Sequence, residues 1–175
     1  MTIASKIIET ERLTLRPFTL EDAEDVAKLC DNYNLYKTTL NIPHPYTLES
    51  AKGWISSHEQ NRREDTLYQF AITDKDSGEL YGSISLSNRK SHQNGEIAYW
   101  LGEEFWGRGF VTEASKAMIQ FAFEEMNFHR VFAYHLKINP ASGRVMEKCG
   151  MTYEGTQKDH IYKDEAFHDY TVTVL

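Results

Sequence analysis

Hydrophobic and polar positions divide the first third of the chain into one strand and two helices. Glu11 to Pro17 alternates apolar and polar residues and ends at a proline, which predicts a strand near the edge of a sheet. A helix capped by Thr19 follows, and a second helix begins after Thr47 and runs to about residue 62. Residues 33–39, between these helices, predict a short further turn of helix.

The rest of the chain predicts most of the sheet and the longest helix. Residues 67–73 and 79–86 form a β-hairpin around a turn-forming cluster at 74–78. The remaining predicted elements are a strand at 95–101, a long helix, a strand at 130–138, a short helix at 139–148, and closing strands at 151–161 and 166–175. The inner face of the long helix carries Val111, Ala114, Met118, Phe121 and Ala122. This order, β-α-α-β-β-β-α-β-α-β-β, predicts an α/β fold in which a mixed sheet has helices on both faces.

Two glycines separate the strand at 95–101 from the long helix. Gly107 and Gly109 allow a tight turn and expose backbone N–H groups, and the following helix adds its own unpaired N–H groups and positive dipole end. The turn therefore predicts a phosphate site. A P-loop is excluded because no Gly-Lys-Ser/Thr is present, and the dinucleotide fingerprint requires a third small residue where Thr112 stands. The alternative is that the glycines only make a tight connection.

Composition restricts the class of protein. A chain of 175 residues predicts a single domain over 1–175, and its formal charge of −7 argues against nucleic acid while favouring cationic partners. No apolar run is long enough to cross a membrane, and the N-terminal residues lack the apolar core of a signal peptide. Cys30 and Cys149 fit no CxxC pattern, which suits a reducing cytoplasm. The sequence leaves the oligomeric state open, and a homodimer is among the states that it allows.

Two stretches resemble a known family. FWGRGFVTEA is similar to the acyl-coenzyme A pyrophosphate loop of the GNAT superfamily of N-acetyltransferases, in the form found in ribosomal-protein N-terminal alanine acetyltransferases. Glu104 stands where the superfamily usually has Arg or Gln. The run from Asn139 to Met151 resembles the family's cofactor-side helix. The resemblance covers nearly the whole chain and implies a GNAT fold with a mixed, mostly antiparallel sheet, and an enzyme that acetylates an amine with acetyl-CoA.

The resemblance also implies the cofactor contacts. The strand at 95–101 and the strand after the long helix would splay apart, so that the backbone of Trp100 and Leu101 binds the pantetheine arm and polarises the thioester carbonyl. Asn139 would bond the pantetheine amides, and Ser142 would lie near the sulfur. The implied contacts of the glycine turn are Trp106, Gly107, Arg108, Gly109, Phe110, Val111 and Thr112.

Direct attack of an amine on a thioester needs a base and a proton donor, but no covalent enzyme intermediate. Glu96 is the candidate base, although it lies about 13 Å from Trp100 at roughly 3.3 Å per strand residue, so a water or a bent strand must bridge them. The family resemblance implies Ser142 as the candidate acid. The alternatives are a solvated strand-end carboxylate for Glu96 and a helix cap for Ser142.

The sequence does not identify the acceptor amine. In this branch His44 and Tyr46 lie in a proline-rich loop that borders the acceptor pocket, which makes them candidate substrate contacts. The acceptor classes are a protein N-terminus, ribosomal proteins included, and a small amine such as an amino acid, polyamine or antibiotic. A non-catalytic acyl-CoA sensor is the alternative from another class. None of the seven histidines has metal-ligand spacing, so no metal site is predicted.

Overall fold

The computed structural model describes residues 5–175 and is organised around one eight-stranded sheet. The strands are β1 (Ile8–Glu9), β2 (Leu13–Arg16), β3 (Leu67–Asp74), β4 (Leu80–Ser87), β5 (Asn94–Leu101), β6 (Arg130–Leu136), β7 (Thr152–Lys163) and β8 (Ala166–Val174). Their order across the sheet is β1-β2-β3-β4-β5-β6-β8-β7. The pair β5 and β6 is parallel, and every other neighbouring pair is antiparallel.

Helices cover both faces of this sheet. They are α1 (Ala23–Cys30), α2 (Tyr33–Thr38), α3 (Leu48–Ser56), α4 (His58–Arg63), α5 (Phe110–Glu124) and α6 (Pro140–Lys148). On one face Trp54 of α3 lies 6.1 Å from Trp100 between ring centroids, and on the other Phe121 of α5 lies 6.3 Å from Phe70. Positions 68–73 of β3 are accordingly all buried, as expected for a strand covered on both sides.

The predicted element order is confirmed, with three local differences. A two-residue strand, β1, pairs with β2 ahead of the predicted first strand. Thr19 begins a single 3₁₀ turn closed by a capping box with Asp22, and α1 starts only at Ala23. The helix predicted to run from Thr47 to residue 62 is divided at Ser57 into α3 and α4. All five residues predicted for the inner face of α5 are buried.

The strands β5 and β6 pair over only three positions and then separate. Asn94, Gly95 and Glu96 lie opposite residues 130–132, but no pairing joins the remainder of β5 to the remainder of β6. β4 stays paired with β5 up to Leu101, and β8 stays paired with β6 up to Leu136. The sheet therefore opens into a wedge-shaped gap beyond Glu96, as the family resemblance implies. Within residues 5–175 no helix is long and apolar enough to cross a membrane.

Candidate active site

A cavity of about 460 Å³, here called the donor cavity, lies between the end of β5, the glycine turn and the start of α6. It is bordered by almost every residue predicted to contact the cofactor: Trp100, Leu101, Trp106, Gly107, Gly109, Phe110, Val111, Thr112, Asn139 and Ser142. Arg108 is the exception. Its side chain turns away and donates a hydrogen bond to the carbonyl of Glu104 at 3.1 Å.

Backbone N–H groups follow one another through the glycine turn, beside the donor cavity. Gly107 and Gly109 have φ angles of +74° and +80°, a region that side chains rarely adopt, and a Cβ at Gly107 would meet open space. Among the described residues, the N–H groups of residues 107–112 have no backbone acceptor, while the next N–H, that of Glu113, returns to Gly109 O at 3.0 Å. A row of free N–H groups at the start of a fifteen-residue helix suits an anion such as pyrophosphate.

Arg12 supports this turn from the side opposite the cavity. Its Nε donates to Glu113 Oε2 at 2.7 Å, and its Nη1 donates to the carbonyl of Arg108 at 2.9 Å. The guanidinium also lies 4.6 Å from the centre of the Phe110 ring. Thr10 adds a 2.6 Å hydrogen bond to the other oxygen of Glu113. The conformation of the turn is therefore fixed by residues that do not border the cavity.

The backbone of β5 presents alternate residues to the gap. Gly102 N–H donates to Tyr81 O at 2.8 Å on the β4 side, so the alternation of an antiparallel ladder directs Trp100 to β4 and Leu101 into the gap. The carbonyl of Leu101 already accepts a 2.8 Å hydrogen bond from Trp106 Nε1. Of the two predicted backbone contacts, Leu101 N–H is the group that faces a ligand in the gap.

A second cavity of about 440 Å³, here called the acceptor cavity, lies on the α3 side of the sheet. Tyr46 and Glu96 border it. His44 lies outside the lining, where its ring contacts Tyr33 and Tyr36 at centroid distances of 5.7 and 5.5 Å. Among the described residues that line this cavity, Glu96 is the one acidic side chain, and neither lysine nor arginine is present. The cavity therefore suits a ligand with a single positive charge.

The two cavities meet in the gap, where six residues border both: Thr38, Thr39, Tyr99, Trp100, Asn139 and Ser142. The Ser142 and Tyr99 hydroxyls lie 2.6 Å apart, and Tyr99 also donates to the Ser142 carbonyl at 3.2 Å. Burial raises the pKa of Tyr99 to about 12, so this phenol stays protonated at neutral pH. A protonated hydroxyl pair is thus available where the two cavities join.

The carboxyl group of Glu96 has a pKa above its ordinary value of 4.5, mainly because burial disfavours the charged form. The nearby positive charge of Arg89 opposes this shift. The Glu96 backbone N–H donates to Ser87 Oγ at 2.8 Å, which holds the residue at the point where β5 and β6 separate. A carboxylate with a raised pKa accepts a proton more readily at neutral pH than an ordinary glutamate does.

Asn139, rather than Ser142, is the residue that caps α6. Its Oδ1 caps α6 by accepting from Ser142 N at 3.4 Å, and its Nδ2 donates to the carbonyl of Thr38 at 3.3 Å. Asn139 therefore connects α6 to the end of α2 across the mouth of the gap. Asn139 also borders the donor cavity, so the residue that caps α6 lies beside the space that a ligand would occupy.

Two residues at the site, and one that contacts it through the end of α2, were missed by the sequence analysis. Tyr99 was assigned only to a strand, although its place beside Trp100 is a signal that could have identified it. Gln69 is a polar residue in an otherwise apolar strand, and it borders the acceptor cavity. Lys163 donates to the carbonyls of Tyr36 and Thr39, and no local pattern marks it.

A family model described as Acetyltransferase (GNAT) domain matches residues 12–152. The chain belongs to the GNAT acetyltransferase family. This assignment confirms the resemblance, the fold and the enzyme class, N-acetyltransferase. Acetyl transfer is therefore the reaction for which the two cavities are to be interpreted.

Relatives in this family match over most of their length. A putative ribosomal N-acetyltransferase of Bacillus subtilis, YdaF, is 31% identical over 91% of this chain and 88% of its own. The [Ribosomal protein uS5]-alanine N-acetyltransferase of Escherichia coli is 27% identical over 96% of this chain and 89% of its own. The solved structure of RimL, a ribosomal L7/L12 alpha-N-protein acetyltransferase in complex with coenzyme A, has a TM-score of 0.89 at 21% identity, covering 97% of each chain. At 21% identity, the similarity to this last structure shows the fold alone.

Proposed function

We propose that this chain transfers the acetyl group of acetyl-CoA to the α-amine at the N-terminus of a protein, with ribosomal proteins as candidate acceptors. The observation that carries the proposal is the meeting of the donor and acceptor cavities at Ser142 and Tyr99, with a single carboxylate on the acceptor side. Relatives named as ribosomal N-acetyltransferases support the choice of acceptor.

The residues of the donor cavity fit acetyl-CoA. The free N–H groups of residues 107–112 would hold the pyrophosphate, and the absence of a Cβ at Gly107 leaves space beside them. Leu101 N–H and the Asn139 carboxamide would bond the pantetheine arm in the gap between β5 and β6. When bound there, acetyl-CoA supplies a thioester whose carbonyl carbon is the electrophile.

The side chains at the junction divide the proton transfers between them. Glu96, as a carboxylate, accepts the proton of the acceptor ammonium through a bridging water, which leaves the neutral amine able to attack. Leu101 N–H donates to the carbonyl oxygen and stabilises the negative charge that develops on it. Ser142 gives its hydroxyl proton to the departing sulfur and is reprotonated by Tyr99, 2.6 Å away. The second proton of the attacking nitrogen, lost as the amide forms, passes to Tyr99, so both hydroxyls end protonated. No covalent bond between enzyme and acetyl group is required.

A small-molecule amine is the second candidate acceptor, and the aromatic wall of the acceptor cavity favours it. This wall consists of Tyr46, Trp54, Tyr99, Trp100, Tyr134 and Tyr170. Such a wall suits an amine with an apolar body. Polyamines and aminoglycosides fit less well, because Glu96 offers counter-charge for only one ammonium group.

The proposal is tested by measuring thiol release from acetyl-CoA with a panel of acceptors. The panel contains peptides with free N-termini, the same peptides with blocked N-termini and a free lysine, apolar monoamines, and polyamines. We expect turnover with the free N-termini and none with the blocked peptides. Turnover confined to monoamines would replace the protein acceptor by a small molecule. Acetyl-CoA binding without turnover of any acceptor would favour a sensor.

A further inference from the structure

One buried polar side chain of the acceptor cavity is not used by the proposed chemistry. Gln69 lies on β3 and is only 4% exposed, yet it borders the acceptor cavity. Within residues 5–175 its Oε1 atom is buried and has no hydrogen-bond partner. Buried carboxamides are normally hydrogen-bonded, so an unpaired one that borders a cavity indicates a ligand group.

The position of Gln69 relative to the gap follows from the strand register. Gln69 lies opposite Ser85 on β4, and Ser85 lies opposite Ala98 on β5. Two interstrand spacings of about 4.8 Å place Gln69 roughly 10 Å from β5. An extended chain advances about 3.5 Å per residue, so a peptide whose α-amine lies in the gap reaches Gln69 within its first three or four residues.

The chemistry of Gln69 restricts the group that it binds. A carboxamide offers one acceptor oxygen and two donor hydrogens, and a half-turn about its terminal torsion exchanges their positions. A backbone peptide group, with one donor and one acceptor, complements it. Around Gln69 the described lining contains Ser83 and Ser85 but no charged side chain other than Glu96, so the bound group is neutral.

Among the described residues of this lining, His135 is the other one with a buried unpaired atom, its Nδ1. It is less buried than Gln69, and the opposite edge of its ring lies against Gly143 at the start of α6. His135 thus lies beside α6, whereas Gln69 lies on the far side of the acceptor cavity. Gln69 is therefore the residue positioned to bind the part of the acceptor that follows its amine.

We infer that Gln69 is a specificity-determining residue that hydrogen-bonds one of the first three peptide groups of an N-terminal acceptor. The inference rests on the proposed function, because it takes the acceptor to be a peptide. It adds that the enzyme binds a backbone peptide group of the acceptor as well as the terminal amine. An acceptor of the same length without a peptide group at that point would lose this contact.

An ester scan with a matched variant tests the inference. The acceptor is a tetrapeptide amide with a free N-terminal alanine, and each of its three internal peptide groups is replaced in turn by an ester, which removes the N–H donor. In the unaltered enzyme one replacement should lower kcat/KM about tenfold, the effect of losing one hydrogen bond between neutral groups. In Gln69→Met, which has similar volume and no carboxamide, that replacement should have no further effect.

Controls separate the two ways in which the experiment can fail. Gln120→Met alters an exposed glutamine on α5 and should leave all ester effects in place. Calorimetry of acetyl-CoA binding to Gln69→Met checks that the donor cavity is intact. Ester effects that persist unchanged in Gln69→Met overturn the inference and leave the proposed function standing. No turnover of any peptide by the unaltered enzyme, with turnover of a small amine, overturns both.

Discussion

Ser142 Oγ lies 2.6 Å from the hydroxyl of Tyr99, so one hydrogen bond joins the first turn of α6 to the middle of β5 across the gap. Both residues border the donor and the acceptor cavity. The bond brings a proton donor from the helix to the strand whose backbone faces the gap. It gives the serine a second role beside its place in the helix cap, where its N–H donates to Asn139.

Removing either hydroxyl should slow the chemical step. We expect Ser142→Ala to lower kcat roughly 100-fold, the effect of losing one general acid, while the Kd of acetyl-CoA stays within about twofold. Tyr99→Phe should lower kcat by roughly tenfold, because the serine remains but loses its partner. Tyr153→Phe, which removes an exposed hydroxyl bonded to Thr156, is the control. A kcat in Ser142→Ala equal to that of the control would contradict the role of the serine.

The pH profile should report the ionisation of Glu96. The base must be a carboxylate, so kcat/KM should fall as pH decreases through the pKa of Glu96, which burial raises above 4.5. Arg89→Met removes the positive charge that lowers this pKa, and should therefore move the acidic limb to higher pH. Glu96→Gln should abolish the limb and reduce kcat. An identical limb in Glu96→Gln and the unaltered enzyme would exclude Glu96 as the titrating base.

Gly107 should be required for cofactor binding rather than for folding. In Gly107→Val a β-branched residue must adopt a φ of +74°, and its side chain would occupy the open space beside the free N–H groups. We expect acetyl-CoA affinity to fall by at least about tenfold, measured by calorimetry. Gly53→Val is the matched control, since Gly53 also has nothing within 4 Å but lies in the exposed face of α3 without a positive φ. Equal acetyl-CoA affinities in the two variants would show that the glycine turn does not bind the cofactor.

The donor half of the site was predictable because its signals are local in sequence. Gly107 and Gly109 need positive φ, and the helix that follows begins at the next residue, so the turn and its free N–H groups come from one short stretch. The gap between β5 and β6 was implied only by the family resemblance. Periodicity predicts that two strands exist, but not that their pairing ends at Glu96.

The acceptor half was less predictable because residues far apart in sequence build it. Lys163 reaches the carbonyl of Tyr36 across 127 positions, and Asn139 reaches Thr38 across 101. Of the two residues predicted as substrate contacts in the proline-rich loop, Tyr46 lies in the lining of the cavity and His44 lies outside it. Which face of an irregular loop turns inward depends on tertiary packing rather than on local pattern.

Arg12 should affect cofactor binding although it does not border the donor cavity. Arg12→Met removes the hydrogen bonds to Glu113 and to the Arg108 carbonyl but keeps an apolar side chain over Phe110. We expect a several-fold weaker acetyl-CoA affinity with little change in kcat. The double variant with Glu113→Gln should be no weaker than Arg12→Met alone, because the two side chains act as one unit. Fully additive losses would show that they act independently.

Lys163 should control the shape of both cavities through the end of α2. Its ammonium group donates to the carbonyls of Tyr36 and Thr39 and lies 4.1 Å from the centre of the Tyr36 ring. Since Thr38 and Thr39 border both cavities, Lys163→Met should raise KM for acetyl-CoA and for the acceptor together. In Lys163→Met the Thr39 carbonyl loses its ammonium partner, whereas the Tyr36 carbonyl keeps the Thr39 N–H at 3.3 Å. This loss should lower the free energy of unfolding by about 1–3 kcal/mol, measured by urea denaturation.

A matched lysine on the same strand separates this positioning role from a general loss of charge. Lys158→Met removes an exposed lysine of β7 and should change neither KM nor stability. Lys163→Arg keeps the charge and the donors in a larger, planar group, and should restore much of the stability with only partial recovery of KM. If Lys163→Met lowered stability but left both KM values equal to those of Lys158→Met, the end of α2 would keep its place without the lysine. The contact would then stabilise the fold without shaping either cavity.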